Sequence, residues 1–150
     1  MKNVFKVENT TELINRINTL TADSKAVWGT MSVDQMLAHC CVTYEMIYDS
    51  KHVKPNTFVK LILKLFIKEV VVGDKTYPKN GKTAPQFIIK DERDFAKEKV
   101  RLIDFMLRTQ QLGESDFEGK ESHSFGKLNI KQWNNMFYKH LDHHLTQFGV

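Results

Sequence analysis

The stretch NIKQWNNMFYKHLDHHLTQFG, residues 129–149, carries the clearest helical pattern in the chain. Asn129 followed by Gln132 three residues later is a capping box, which marks the start of a helix, and Gly149 marks its end. Between them, apolar side chains recur at helical spacing: Ile130, Trp133, Phe137, Leu141 and Leu145. The stretch therefore predicts an amphipathic helix that runs to about Phe148 and buries one face.

Four further helical patterns precede this one, over residues 10–20, 32–48, 55–67 and 91–108. The first two begin with capping boxes, formed by Asn9 with Glu12 and by Ser32 with Gln35. Gly113 marks the end of the fourth helix, and residues 73–85 contain the glycine and proline expected of a long irregular crossover. The five helical patterns together predict an all-α fold.

The pattern over residues 55–67 is unusual because apolar residues fill nearly every position. Lys60, Lys64 and Lys68 recur every four residues and so share one helical face. We predict a buried helix with a basic outer stripe, because such a stripe is usually the solvent side of a core helix. The alternative is a helix that binds an anionic membrane surface. The lysine stripe and the apolar side chains would then contact the membrane together: Phe58, Leu61, Leu65 and Phe66.

Length and composition indicate one soluble globular domain spanning residues 1–150. The 150 residues can bury a core without disulfides, and 41% of them are hydrophobic and 27% charged. The two cysteines, Cys40 and Cys41, are chain neighbours, and such pairs rarely meet disulfide geometry. Residues 1–7 lack the apolar run of a secretory signal, so a cytoplasmic location is expected.

The net charge of +4 is small and is spread along the chain. Lysines outnumber arginines, whereas surfaces that read bases or clamp phosphates usually favour the bidentate arginine fork. No specific nucleic-acid partner is expected.

Histidines supply the candidate chemistry. His140 and His144 lie four residues apart in the last helix and share a face, whereas His143 projects to the side. Such a pair can chelate one metal ion, since the two imidazole nitrogens can converge. The alternative is a pair of hydrogen-bonded core histidines.

A third ligand is needed to make the metal hypothesis specific. His39 lies among apolar residues of the second helix, on the flank of its apolar stripe, so it reaches the pair only if that flank faces the last helix. Cys40 and Cys41 are alternative soft ligands, but Cys40 falls in the apolar stripe and is interpreted as a core residue. His52 is expected to be solvated, and His123 is interpreted as part of a turn rather than the mouth of a site.

Several short segments resemble the DinB-like superfamily of helical metalloproteins, named after a damage-inducible protein, and within it a branch without an assigned function. The matching segments are residues 28–32 with 35–39, residues 85–87 with 93–95, residues 123–126, Trp133, and residues 140–149. Each segment is short, but together they span nearly the whole chain in a consistent order.

The resemblance implies a four-helix bundle with long crossover connections, in which the helix around residues 56–67 is an insertion. It also implies a metal site built from one histidine of the second helix and two of the last, which correspond to His39, His140 and His144. The family pattern has a glutamine three residues after the final ligand, and Gln147 occupies that place.

Some members of the superfamily are thiol transferases, so the resemblance implies a metal-dependent enzyme that transfers a low-molecular-weight thiol to a small electrophile, or hydrolyses one. The other hypothesis is a non-catalytic metal-binding or stress-response module. Imidazole ligands suit zinc, nickel or iron. A small-molecule substrate is expected, no membrane partner is expected, and the resemblance allows a homodimer.

Overall fold

The computed structural model describes all of residues 1–150 and is mostly helical, which confirms the predicted all-α class. The elements in chain order are α1 (Val7–Thr19), α2 (Val33–Tyr48), α3 (Thr57–Ile62), a π-helical turn (Leu63–Ile67), α4 (Lys68–Val72), a 3-10 turn (Pro85–Phe87), α5 (Phe95–Phe117), β1 (Glu121–Ser122), β2 (Gly126–Lys127) and α6 (Ile130–Gln147). The two strands form a small antiparallel hairpin in which Ser122 lies opposite Gly126.

The four long helices form the bundle around one apolar core. Helices α1 and α2 each pack against both α5 and α6. At the centre of the core, the Phe137 ring has four aromatic neighbours at centroid distances of 5.1–6.3 Å: Phe5, Tyr44, Phe117 and Trp133. The long connections that join α2 to α5 and α5 to α6 place the helices so that the histidine-bearing segments of α2 and α6 can meet.

The capping boxes predicted for α2 and α6 are both present, but the one predicted for α1 is not. Helix α1 begins at Val7, and its polar side chains bind the preceding segment instead: the Asn9 amide donates to the Asn3 carbonyl, and the Thr10 hydroxyl donates to the Val4 carbonyl. Because the neighbouring Phe5 is buried in the core, this segment folds back and the helix starts earlier than predicted.

Helix α5 also differs from its prediction at both ends. It begins at Phe95, where the Asp94 carboxylate accepts a hydrogen bond from the Lys97 backbone nitrogen. Gly113 interrupts it with φ +74° instead of ending it, and helical structure resumes up to Phe117. Phe117 is fully buried against Trp133 and Phe137, and this packing explains why the chain continues along the bundle beyond the glycine.

The predicted extra helix is present over residues 57–72, here called the inserted helix, but the predicted burial of its apolar face is wrong. No residue of 57–67 is buried, and Phe58 and Phe66 are 70% and 71% exposed. The lysine side instead lies towards the hairpin: Lys60 Nζ is 4.0 Å from Glu121 Oε1, and a Cβ on Gly126 would lie 3.3 Å from Lys64 Cε. None of the helices is both long enough and apolar enough to cross a membrane.

The C-terminal end of the inserted helix is anchored to α6 by buried polar groups. The Lys139 ammonium donates to the carbonyl oxygens of Val70, Gly73 and Lys75 at 2.8, 2.8 and 2.9 Å. The Asn135 amide donates to the Val72 carbonyl at 3.1 Å. Carbonyls at a helix C-terminus have no partner within the helix, so these bonds satisfy them. They also hold the following crossover against α6, one residue before His140.

Candidate metal centre

Three histidines from two helices converge at one point of the bundle. His39 comes from α2, whereas His140 and His144 come from successive turns of α6, and one ring nitrogen from each lies within 4.8 Å of the other two. His39 Nε2 and His140 Nε2 are 2.9 Å apart. Two nitrogens bound to one tetrahedral zinc ion at about 2.0–2.1 Å lie about 3.4 Å apart, so small shifts would bring these rings to coordination distance.

The Nδ1 atom of each imidazole is hydrogen-bonded to a different group. His39 Nδ1 donates to the Phe87 carbonyl at 2.8 Å, and His144 Nδ1 donates to Gln147 Oε1 at 2.8 Å. His140 Nδ1 lies 2.9 Å from Thr43 Oγ1. Since a carbonyl oxygen can only accept, His39 and His144 carry their protons on Nδ1 and present bare Nε2 lone pairs. This second layer of bonds is typical of metal-binding histidines.

His39 Nε2 and His140 Nε2 lie too close together for both to present bare lone pairs to each other. Two bare lone pairs at 2.9 Å repel each other, so either a cation or a proton must lie between the nitrogens. If a proton lies there, His140 carries it on Nε2 and donates it to His39 Nε2, and the Thr43 hydroxyl donates to His140 Nδ1. This is a hydrogen-bonded histidine pair, but of His39 with His140 rather than the pair of His140 with His144 considered from the sequence. The pair of His39 with His140 leaves the lone pair of His144 Nε2 without a role, whereas a metal ion would use all three.

All three imidazoles are held in the neutral form that binds metal ions. Burial lowers the pKa of His39 below its usual value and lowers that of His144 to about 3. Burial, together with the neighbouring imidazoles, lowers the pKa of His140 well below its usual value. A buried imidazole resists protonation because the charged form loses its hydration. The three imidazoles are therefore uncharged near neutral pH, the form in which histidine binds metal ions.

Carboxylates and thiols, the other side-chain groups that could bind a metal ion, are not part of the cluster. Asp142 forms an ion pair with Arg16 at 2.7 Å, and Glu45 forms ion pairs with Arg101 and Lys51. Both cysteines are buried, and burial raises the pKa of the Cys40 thiol well above its usual value and that of Cys41 to about 12. The donor set is therefore made of imidazoles alone, and Cys40 packs as a core residue.

The remaining histidines have other partners. His52 was expected to be solvated, but its Nε2 lies 2.7 Å from the buried Glu45 carboxylate, because the loop after α2 folds back over that helix. His123 lies in the β1–β2 hairpin beside Ser124 Oγ, in agreement with the turn interpretation. His143 is half-buried, with its ring centroid 5.0 Å from that of His144, and is not part of the three-nitrogen cluster.

Three half-buried aromatic side chains lie beside His140 and the neighbouring His143. The Phe87 and Tyr77 ring centroids lie 5.8 and 6.4 Å from that of His140, and Trp28 lies 6.0 Å from His143. These three residues, here called the aromatic rim, come from loops rather than bundle helices. An open groove of about 640 Å³ along α1 lies elsewhere and includes none of the clustered histidines.

Sequence reasoning did not identify the groups that orient the His39 and His140 imidazoles. Thr43 lies four residues after His39 and therefore on the same face of α2, a spacing from which it could have been found. The Phe87 carbonyl carries no such signal, because any residue can supply a backbone oxygen. Gln147, by contrast, lies where the resemblance placed a glutamine, and its amide donates to the Trp28 carbonyl at 2.7 Å.

We expect a Gly29→Ala substitution to weaken metal binding about 10-fold, the scale expected for loss of an orienting group. Gly29 has φ +83°, and a Cβ there would lie 2.5 Å from Gln147 Nε2. The added methyl group must displace the Gln147 amide, which releases the Nδ1 side of His144. Titration of the metal-free variant with zinc under a competing chelator measures the change.

The matched control is Gly119→Ala. Gly119 also has a positive φ, +71°, but no atom lies within 4 Å of the added methyl group. Both variants should lose about 1 kcal/mol of stability from the left-handed backbone, and only Gly29→Ala should lose metal affinity. Equal affinities in the two variants would show that Gln147 does not support the site.

Comparison with known proteins identifies a family but no activity. Residues 2–149 match a family described as "Protein of unknown function (DUF1569)". Neither the curated proteins nor the solved structures contain a match. The match covers nearly the whole chain, but the family description assigns no function.

Proposed function

The chain belongs to this family of unknown function, and from the geometry of its histidine cluster we propose that it binds a divalent metal ion through His39, His140 and His144. One observation carries the proposal: three neutral imidazoles from two helices present nitrogens within 4.8 Å of one another. Each ring is also held by a separate hydrogen bond at Nδ1, an arrangement that orients Nε2 for coordination.

The donor set fits a catalytic type of site. Three imidazoles suit zinc, nickel or iron, and three protein ligands leave a tetrahedral ion one position for an exogenous ligand. An ion held in this way lowers the pKa of a bound thiol or water and so supplies a nucleophile near neutral pH. His140 as a residue is only half-buried, which places the cluster near the surface of the bundle.

We further propose that the family is a branch of the DinB-like superfamily and that the protein is a metal-dependent enzyme. The substrate is a small electrophile, and the reaction is transfer of a low-molecular-weight thiol or hydrolysis. The bundle architecture and the positions of the ligands on its second and last long helices support this assignment. The aromatic rim offers apolar walls beside the cluster, where Trp28, Tyr77 and Phe87 could position a small substrate and exclude water.

A second candidate is a metal-binding module without turnover. It is favoured by the absence of a carboxylate from the cluster, since Asp142 and Glu45 are both committed to ion pairs elsewhere. Many metal-dependent hydrolases use such a carboxylate as a general base. A thiol transferase needs it less, because the metal itself favours the thiolate.

Elemental analysis of protein purified without a histidine tag tests the metal proposal. About one ion per chain is expected, and the identity of the ion follows from the same measurement. In the variant that combines His39→Ala, His140→Ala and His144→Ala, the metal should be absent. An unchanged metal content in that variant would exclude this site.

Cobalt(II) substitution separates the two candidates. Addition of cysteine as a free low-molecular-weight thiol should produce a sulfur-to-cobalt charge-transfer band if the ion has an open position that accepts a thiol. A spectrum that does not respond to cysteine, in protein that still binds cobalt, would favour the non-catalytic module.

A further inference from the structure

The inserted helix presents a continuous apolar surface to solvent. Eight of the sixteen exposed large hydrophobic residues of the chain fall within residues 58–70. They form the surface called here the apolar face: Phe58, Val59, Leu61, Ile62, Leu65, Phe66, Ile67 and Val70. Half of the exposed apolar side chains are thus concentrated on one short helix, which is not the scatter expected of an ordinary surface.

The area of this face is larger than that of most surface patches. With 40–71% of each residue exposed, the eight residues leave on the order of 800 Å² accessible. The largest apolar patch on a typical soluble monomer is about 300–600 Å², and patches above that size mark interaction sites. The apolar face therefore requires a partner.

The inserted helix is held in place while its apolar face points outward. Its C-terminal end is fixed by the three carbonyl bonds of Lys139 and by the buried side chain of Val72. On its other side, Lys60 lies 4.0 Å from the Glu121 carboxylate of the hairpin. The attachment combines these polar contacts with the packing of Leu63, Val71 and Val72 against the core, and the eight residues of the apolar face remain exposed.

The charge of the segment that contains the apolar face favours an anionic partner. Residues 51–82 contain eight lysines and only two acidic residues, Glu69 and Asp74, a net charge of +6. The whole chain carries +4, so the remaining residues carry −2. Six of the eight lysines are exposed: Lys51, Lys54, Lys64, Lys75, Lys79 and Lys82. The positive charge of the protein is therefore concentrated in the segment that contains the apolar face.

We propose that the inserted helix docks on an anionic membrane surface. The apolar face enters the boundary between head groups and acyl chains, where large apolar side chains of surface-bound helices are buried. Exposed lysines in and beside the helix, such as Lys54 and Lys64, supply the charge for the anionic head groups. Lys64 lies on the hairpin side of the helix, and its flexible apolar stem allows the ammonium to extend from there to the polar layer. The sequence alone disfavoured this partner because it predicted that the apolar residues face the core, and the structure places them in solvent.

A second copy of the chain fits this surface less well. Face-to-face packing of two inserted helices would bring two segments of +6 charge together, and like charges opposed across an interface weaken association. A bilayer that contains acidic lipids offers the opposite charge over any area. Charge complementarity therefore favours the lipid surface over the homodimer.

Vesicle co-sedimentation of the full chain tests the proposal. The protein should pellet with vesicles of phosphatidylcholine and phosphatidylserine in about a 3:1 ratio, and much less with phosphatidylcholine alone. Raising the salt from about 0.1 to about 0.5 M should release it, because screening weakens the lysine contribution. A Lys54→Glu, Lys64→Glu double variant should lose binding in the same way.

A second pair of variants tests the contribution of the apolar side chains to vesicle binding. We expect Leu65→Gln combined with Phe66→Gln to reduce the pelleted fraction at least about five-fold, since the two residues are 68% and 71% exposed and their apolar contact with lipid is lost. Val27→Gln combined with Val100→Gln changes residues that are 70% and 59% exposed outside the inserted helix and should leave the pelleted fraction unchanged. Circular dichroism confirms that both variants are folded.

Two results would overturn the proposal. Equal pelleting with neutral and anionic vesicles would remove the role of charge. A wild-type dimer in light scattering that the Leu65→Gln, Phe66→Gln variant converts to a monomer, with no pelleting of either protein, would assign the apolar face to a second copy. Neither pelleting nor light scattering depends on bound metal, so these results test membrane docking independently of metal binding by the histidine cluster.

Discussion

A His140→Ala variant is expected to bind a divalent metal ion about 100- to 1,000-fold more weakly than the unaltered chain. Structural zinc sites contribute about 10–16 kcal/mol in total, so one of three or four ligands accounts for about 3–4 kcal/mol. The three rings form a compact triangle, with the His140 centroid 4.9 Å from those of both His39 and His144 and the latter two 4.5 Å apart. Its loss leaves two imidazoles that cannot hold the ion alone.

Competition titration of metal-free protein with zinc measures this loss, and thermal unfolding with and without a chelator gives an independent readout. Addition of chelator should lower the Tm of the wild type but not that of His140→Ala, because only the wild type is stabilised by bound metal. His143→Ala is the control, since it removes a neighbouring imidazole outside the cluster. If His143→Ala were the variant that lost the metal, the ligand assignment would be wrong.

A Phe137→Ala variant is expected to lose about 3–5 kcal/mol of unfolding free energy, the usual range for removing a buried aromatic ring. The Phe137 side chain is 1% exposed and stacks on Tyr44 and Trp133 at 5.1 and 5.7 Å. Because its other neighbours are also rings, the cavity cannot close without moving several helices. The loss is a large part of the stability of a typical domain, about 5–15 kcal/mol.

Urea unfolding followed by circular dichroism measures the effect, and Phe66→Ala provides the same substitution on the surface. Phe66 is 71% exposed, so its removal should change stability by less than about 0.5 kcal/mol. A similar loss in both variants would mean that the inserted helix is buried in solution, contrary to the structure. That result would also remove the basis for membrane docking by the apolar face.

The histidine cluster depends on parts of the chain other than the two helices that carry the ligands. The crossover after the inserted helix supplies Tyr77 and the Phe87 carbonyl, and the loop before α2 supplies the Trp28 carbonyl that holds Gln147. Lys139, the residue before His140, donates hydrogen bonds to the Gly73 and Lys75 carbonyls and so holds the start of that crossover against α6. The long connections of this bundle therefore form part of the site.

Much of the fold could be predicted because it is encoded locally. Capping boxes at Ser32 and Asn129 and the spacing of apolar residues predicted α2 and α6 to within a residue or two. The predictions failed where distant packing overrides a local signal. Asn9 binds the N-terminal segment instead of capping α1, and Gly113 bends α5 instead of ending it, because Phe5 and Phe117 are drawn into the core.

The sequence by itself determined the helices and the relation of His140 to His144, because four residues along one helix give a definite angle and rise. Only the tertiary structure decided that His39 meets this pair and that the inserted helix turns its apolar residues outward. Periodicity determines which side chains share a face of a helix. The direction in which that face points depends on the rotation of the whole helix against its neighbours, which is set by the sum of contacts between residues far apart in the chain.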